Sequence, residues 1–239
     1  MTAVRALFIQ NEDDAPAGLL GEWATARGVE VQTVRPDSGE ALPGPDGWDF
    51  AAALGSAASV FDGTVAWIAD ELSWLRRADA AGLPVLGICF GAQALAAALG
   101  GNVRRAPEPE LGWMSVACND LTPAGEMAPG PWFAWHQDLL EPPPAARVVA
   151  SNAAGVQAFV LRRHLAVQFH PEVTPEIAET WAASAREDFP GAPIGAGQVR
   201  AESERVADTA RQHAFALFDA FLTGARAGGR ITSSATTRA

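Results

Sequence analysis

The segment that most constrains the fold is residues 84–100, which read PVLGICFGAQALAAALG. Its first five residues are too few and too apolar for anything but a buried strand, and the alanine-rich part repeats its apolar residues at helical spacing. The turn between them holds Cys89, with Gly87 and Gly91 two residues to either side. Because such a turn has little room, these glycines let strand and helix pack closely, as in a nucleophile elbow.

This position predicts a reactive thiol at Cys89. The sulfur would project over the edge of the sheet at the N-terminus of the following helix, where the helix dipole and a nearby base favour the thiolate. A core cysteine between two helix-packing glycines is the alternative that the segment alone leaves open.

Strand and helix patterns alternate before this segment. An apolar run over 4–10, a helical pattern over 16–27 and an alternating run over 29–34 form one strand–helix–strand unit. Such a unit places parallel strands in one sheet with helices on both faces. A further strand is predicted over 49–54, so the fold class is α/β with a mostly parallel central sheet.

A long amphipathic helix over 65–81 precedes the elbow strand, and its pattern turns Asp70 and Glu71 to water. After the elbow, residues 103–160 contain short apolar runs broken by Pro and Gly. This texture is typical of antiparallel strands, which we expect beside the main sheet.

The C-terminal part has two helical patterns. The first begins at Thr174, a capping residue followed by a first-turn proline. A loop is predicted over 189–200 and a last helix over 201–222. We therefore predict one domain over 1–222 and a disordered tail over 223–239, whose Gly, Ser, Thr, Ala and Arg cannot bury enough surface to order themselves.

Composition argues against several function classes. Acidic residues outnumber basic ones 28 to 17, the net charge is −11, and all 17 basic residues are arginine. A chain with this negative charge is not expected to bind nucleic acid or an anionic membrane surface. Without lysine it has no P-loop lysine and no Schiff-base lysine, so we expect any accompanying ATP-driven activation on another chain.

The cysteines and the lengths of the apolar runs indicate where in the cell the protein would be located. Cys89 and Cys118 form no CxxC pair or Cys/His cluster, which argues against a disulfide framework and a structural zinc site. Cys118 is expected in the core. The N-terminal apolar run is too short for a signal peptide, and no stretch reaches about 18 apolar residues. These features predict a cytoplasmic protein.

A base for the thiol follows the apolar run at 165–169. His170 comes directly after it, and Glu172 can point the same way because alternate residues of an extended segment share a face. Alone, His-Pro-Glu is more often an ordinary loop. Since ligands of parallel sheets bind beyond the carboxyl ends of the strands, Cys89, His170 and Glu172 make a coherent nucleophile, base and orienting carboxylate.

Three segments together resemble the class I, triad-type glutamine amidotransferases. GICFGAQ is similar to that family's cysteine elbow, AVQFHPE to its histidine and glutamate strand, and AALGSAASVFD to its oxyanion strand. WHQDLLEPPPAARVVASNAAGVQAF most resembles stand-alone members similar to the GMP synthetase amidotransferase domain. The resemblance implies a flavodoxin-like fold, with a mostly parallel sheet flanked by helices and a small added antiparallel sheet.

The resemblance also implies a chemistry. Cys89 would attack the side-chain amide of glutamine, His170 would pass a proton to the departing ammonia, and Glu172 would hold the imidazole. A γ-glutamyl thioester would then be hydrolysed to glutamate. The ammonia would pass to a separate synthase chain. We expect no cofactor and no metal.

By the same resemblance, backbone N–H groups of Phe90 and of the Gly55-Ser56 turn would form the oxyanion hole. The family usually has Gly-Gly at this turn. Serine keeps the N–H but is less free to adopt unusual dihedral angles. The sequence leaves open whether the hole is preformed or weakened.

Four further residues match the family's substrate pocket, namely Gln93, His136, Gln137 and Asp138. Two other functions fit the same residues. One is a γ-glutamyl hydrolase that cleaves larger γ-glutamyl amides without a partner, and the other is a catalytically silent regulatory or binding homologue. The identity of the ammonia acceptor cannot be read from the sequence.

Overall fold

The computed structural model describes residues 3–118, 127–189 and 195–227. The strands in these ranges are β1 (Val4–Ile9), β2 (Val29–Val34), β3 (Phe50–Ala53), β4 (Val85–Ile88), β5 (Asn102–Met114), β6 (Ala117–Cys118), β7 (Trp132–Glu141), β8 (Arg147–Ser151), β9 (Val156–Leu161) and β10 (His164–Val167). The α-helices are α1 (Gly18–Ala26), α2 (Ala66–Ala80), α3 (Phe90–Ala98), α4 (Pro175–Asp188) and α5 (Ala196–Ala227).

One large sheet has the strand order β2-β1-β3-β4-β10-β9-β8-β6. Its first five strands run parallel, and β9, β8 and β6 extend it in antiparallel fashion. Strands β5 and β7 pair in a separate antiparallel sheet. This topology confirms the predicted α/β fold with a small added antiparallel sheet.

The central strands are apolar on both faces because helices cover both. Strands β3 and β4 are buried along their whole length. Trp23 of α1 and Phe218 of α5 pack on one face of the sheet, and Trp74 of α2 and Leu95 of α3 pack on the other. Because these strands are parallel, their carboxyl ends lie at the same edge of the sheet.

Predictions for two side chains were wrong. Glu71 is fully buried, because it follows Ile68 by three residues and precedes Leu75 by four, which puts it on the inner face of α2. Its charge, rather than its helical position, led to the prediction of a water-facing residue. Cys118 is exposed because β6 is a two-residue strand at the edge of the sheet.

Helix α5 is longer than predicted at both ends. It begins at Ala196, inside the predicted loop, and continues past Gly224 to residue 227, into the predicted tail. Packing accounts for the extension at the C-terminal end, since Ala225 is buried. Residues 228–239 lie outside the described residues, so their assignment to a tail stays a prediction. Within the described ranges, no helix has the length and hydrophobicity needed to cross a bilayer.

Candidate active site

The turn between β4 and α3 holds Cys89 in an unusual backbone conformation. Its φ is +50° and its ψ is −108°, a region that residues with a Cβ rarely adopt. A Cβ on Gly91 would lie 2.0 Å from the Ala53 carbonyl oxygen, and one on Gly87 would lie 2.7 Å from the Gly91 oxygen. Close packing of β3, β4 and α3 therefore requires both glycines and holds the cysteine at the turn.

His170 and Glu172 lie at the same edge of the sheet, just after β10. His170 Nδ1 is 2.7 Å from Glu172 Oε1, and both side chains are buried. The His170 backbone N–H donates to the Phe133 carbonyl at 2.8 Å, and the Trp181 ring meets the imidazole edge-on, 4.6 Å between centroids. These contacts fix the orientation of the imidazole ring.

Cys89, His170 and Gly55 meet at one point. A Cβ on Gly55 would lie 3.0 Å from His170 Cε1 and 3.9 Å from Cys89 Cβ. Burial lowers the pKa of His170, but the negative charges of Glu172 and Cys89 outweigh it and raise the pKa to about 10. The imidazole is therefore protonated at neutral pH.

These residues line a cavity of about 120 Å³. Eight of the ten residues predicted for the site contribute to its wall, namely Gly55, Ser56, Cys89, Gln93, His136, Gln137, Asp138 and His170. Of the other two, Glu172 contacts the imidazole and Phe90 is the first residue of α3. The fold thus gathers residues from β3, β4, β7 and β10 around one space.

On the β7 side of the cavity, two side chains hydrogen-bond to one carbonyl. Gln93 Nε2 donates to the Asp138 backbone oxygen at 3.0 Å, and His136 Nδ1 lies 3.1 Å from the same oxygen. Since a carbonyl only accepts, Nδ1 carries a proton. Burial, followed by the charge on His170, lowers the pKa of His136 to about 3, so this ring is neutral.

The chain also matches a family of known proteins. The family model for class I glutamine amidotransferases matches residues 26–182, more than half of the chain. The chain belongs to this family.

Curated relatives of this amidotransferase domain are longer proteins. This chain is 34% identical over 176 residues to an aminodeoxychorismate synthase of Streptomyces griseus, and the match covers 71% of this chain and 24% of that protein. It is 42% identical over 96 residues to one subunit of the glutamine-hydrolysing GMP synthase of Sulfurisphaera tokodaii, covering 38% of this chain and 51% of that one. The chain therefore spans about a quarter to a half of these relatives' lengths.

Solved structures match over nearly the whole chain. A glutamine amidotransferase of Thermotoga maritima superimposes with a TM-score of 0.86 at 22% identity, covering 93% of this chain and 99% of that one. A glutamine amido transferase of Methylobacillus flagellatus gives 0.83 at 25% identity, covering 93% and 96%. The resemblance and the fold predicted from sequence are confirmed.

Glu12 and Arg105 are among the residues that line this cavity and were not predicted for the site. Glu12 Oε1 accepts hydrogen bonds from Ser56 Oγ and the Ala57 N–H, each at 2.7 Å, and so holds the turn predicted to carry the oxyanion hole. Arg105 Nε lies 3.0 Å from Asp138 Oδ1 at the cavity rim. Sequence reasoning missed both because their partners lie more than 30 residues away along the chain.

The hydrogen bonds around the turn leave two backbone donors unengaged. Across the ranges that the structure covers, neither the Ser56 N–H nor the Phe90 N–H donates to another residue. The Ser56 side chain is fixed by two hydrogen bonds of its hydroxyl, which donates to Glu12 Oε1 and accepts from the Ala58 N–H at 3.0 Å. In the part of the chain that the structure describes, no group of three or more His, Cys, Asp or Glu side chains could hold a metal ion.

Proposed function

We propose that this chain hydrolyses the side-chain amide of glutamine with Cys89, His170 and Glu172 and supplies the ammonia to a separate synthase. The observation that supports this most is the 2.7 Å contact between His170 Nδ1 and Glu172 Oε1, in a buried ring that shares one cavity with Cys89. Membership of the class I glutamine amidotransferase family supports glutamine as the substrate.

The first half-reaction forms a thioester. The Cys89 thiolate attacks the amide carbon of glutamine, and the carbonyl electrons move to the oxygen. Backbone N–H groups of Ser56 and Phe90 stabilise this oxyanion, each by about 3 kcal/mol. His170 gives a proton to the amide nitrogen, the carbon–nitrogen bond breaks, and ammonia leaves behind a γ-glutamyl thioester.

Water completes the reaction in the second half. His170, now neutral, removes a proton from the attacking water, and the carbon–sulfur bond breaks to release glutamate and the thiolate. Glu172 holds the imidazole in the same orientation throughout, as the acidic member of a triad does. Overall, glutamine and water become glutamate and ammonia.

The remaining pocket residues are proposed to bind the substrate. Gln93 lies beside the nucleophile, and His136, Gln137 and Asp138 follow one another on β7 at the far wall. Their backbone and side-chain polar groups suit the amino-acid end of glutamine. The Gly55-Ser56 turn, held by Glu12, supports a preformed oxyanion hole.

The partner is inferred from relatives. The Sulfurisphaera tokodaii relative is named as one subunit of a glutamine-hydrolysing GMP synthase. By analogy, we propose a separate ammonia-accepting synthase for this chain, and the cytoplasmic location remains a prediction from the sequence.

The test compares glutamate release from glutamine by the wild type, Cys89→Ala and Cys118→Ala. Removing a nucleophile that acts within a triad should lower the rate by about a thousandfold or more. The exposed Cys118 is the matched control and should leave the rate unchanged. Wild-type activity in Cys89→Ala would overturn the proposal, and faster turnover of larger γ-glutamyl amides than of glutamine would favour the hydrolase alternative.

A further inference from the structure

Gln168 reaches the sulfur of the elbow from the neighbouring strand. It directly follows β10, its side chain is fully buried, and its Nε2 lies 3.8 Å from Cys89 Sγ. Its backbone N–H donates to the Gln157 carbonyl at 2.8 Å, which anchors it to β9. The triad chemistry gives this amide no part.

A second amide fixes which end of Gln168 faces the sulfur. Gln93 Nε2 donates to the Asp138 carbonyl at 3.0 Å, and because a carbonyl only accepts, this contact orients the Gln93 amide. The same Nε2 lies 3.4 Å from Gln168 Oε1, which must therefore be the accepting end. The donating end of Gln168 is then the one that faces Cys89.

The surroundings of the sulfur suit both of its protonation states. The Trp135 carbonyl oxygen lies 4.0 Å from Cys89 Sγ and can accept only from a neutral thiol. The Gln168 amide can donate to a thiolate. Hydrogen bonds that select the charged form of a group stabilise that form.

We propose that Gln168 donates a hydrogen bond to the Cys89 thiolate and that Gln93 is the positioning residue that orients it. The inference rests on the proposed function only for the role of Cys89 as the nucleophile. Titratable side chains that face the same cavity from other elements are Glu12 and Asp14 after β1, Arg105 on β5, His136 and Asp138 on β7, and His170 after β10.

The test measures the rate at which iodoacetamide alkylates Cys89 as a function of pH, in the full chain carrying Cys118→Ala. Gln168→Met keeps the length of the side chain and removes the donor. We expect the midpoint of the profile to rise by about one pH unit, which makes alkylation about tenfold slower at a fixed pH below it. Gln93→Met should shift the midpoint in the same direction by less.

The matched control is Gln157→Met, another fully buried amide, which donates to Glu110 and Asn152 and not to the sulfur. Its midpoint should equal that of the parent. An unchanged midpoint in folded Gln168→Met would overturn the proposal. If that variant does not fold, an unchanged midpoint in Gln93→Met would overturn it instead.

Alkylation needs only a reactive thiol and no turnover of glutamine. A chain that fails to release glutamate but shows the expected shift would contradict the proposed function and leave the role of Gln168 intact.

Discussion

Two buried ionisable side chains differ in what surrounds them. His170 lies between Glu172 and Cys89, whose charges keep it protonated. Glu71 on α2 contacts the Asn11 amide at 3.4 Å, and burial raises its pKa to about 8 despite that hydrogen bond. Asn11 also donates to the Leu54 carbonyl at 3.3 Å, just before the Gly55-Ser56 turn. At neutral pH Glu71 is therefore mostly uncharged.

The raised pKa of Glu71 predicts a pH-dependent stability. Its folded value of about 8 exceeds the ordinary 4.5, so the folded state binds more protons between these values and loses stability as pH rises. Glu71→Gln stays uncharged and should avoid this loss, which we expect to be on the order of 3 kcal/mol by neutral pH. Urea unfolding from about pH 5 to about pH 8 measures the difference.

Asp70→Asn, an exposed neighbour on the same helix, is the control and should keep the pH dependence of the wild type. Equal slopes of stability against pH in the wild type and Glu71→Gln would contradict the burial argument.

At the scale of elements, the elbow depends on how closely α3 approaches the sheet. The sequence predicted this part well because the strand, the turn and the helix are contiguous in residues 84–100. The hydrogen bonds that hold the neighbouring turn could not be predicted. They join Glu12 after β1 to Ser56 and Ala57 after β3, and no local pattern reports such a distant pairing.

Gly91→Ala should prevent this approach. The added Cβ would lie 2.0 Å from the Ala53 carbonyl oxygen, a backbone atom that cannot move aside, so we expect a loss of at least about 3 kcal/mol or no folded protein. Gly197→Ala in α5 meets nothing within 4 Å and should change stability by less than about 1 kcal/mol. Denaturant unfolding measures the free energy of unfolding of both variants. If Gly91→Ala were as stable as the wild type, the elbow would not be tightly packed.

At the scale of the whole molecule, the parallel sheet brings distant residues together. Ser56, Cys89 and His170 each follow a parallel strand and so lie at the same edge of the sheet. For Cys89 and His170 the sequence predicted this, because ligands of parallel sheets bind beyond the carboxyl ends of the strands, whereas Ser56 was assigned to the site only by the family resemblance. Arg105 and the β7 residues arrive from the separate β5–β7 sheet. How that sheet packs over the edge is a tertiary contact without a sequence pattern, so the role of Arg105 at the rim was missed.

The central claim is that Cys89 is a nucleophile that recognises glutamine, and covalent labelling tests it most directly. Diazo-oxo-norleucine, a glutamine analogue with an electrophilic carbon, is incubated with the full chain, and the adduct is located by peptide mass. We predict stoichiometric labelling on Cys89 that excess glutamine slows and that Cys89→Ala abolishes. No adduct, or an adduct confined to Cys118 and insensitive to glutamine, would contradict the account.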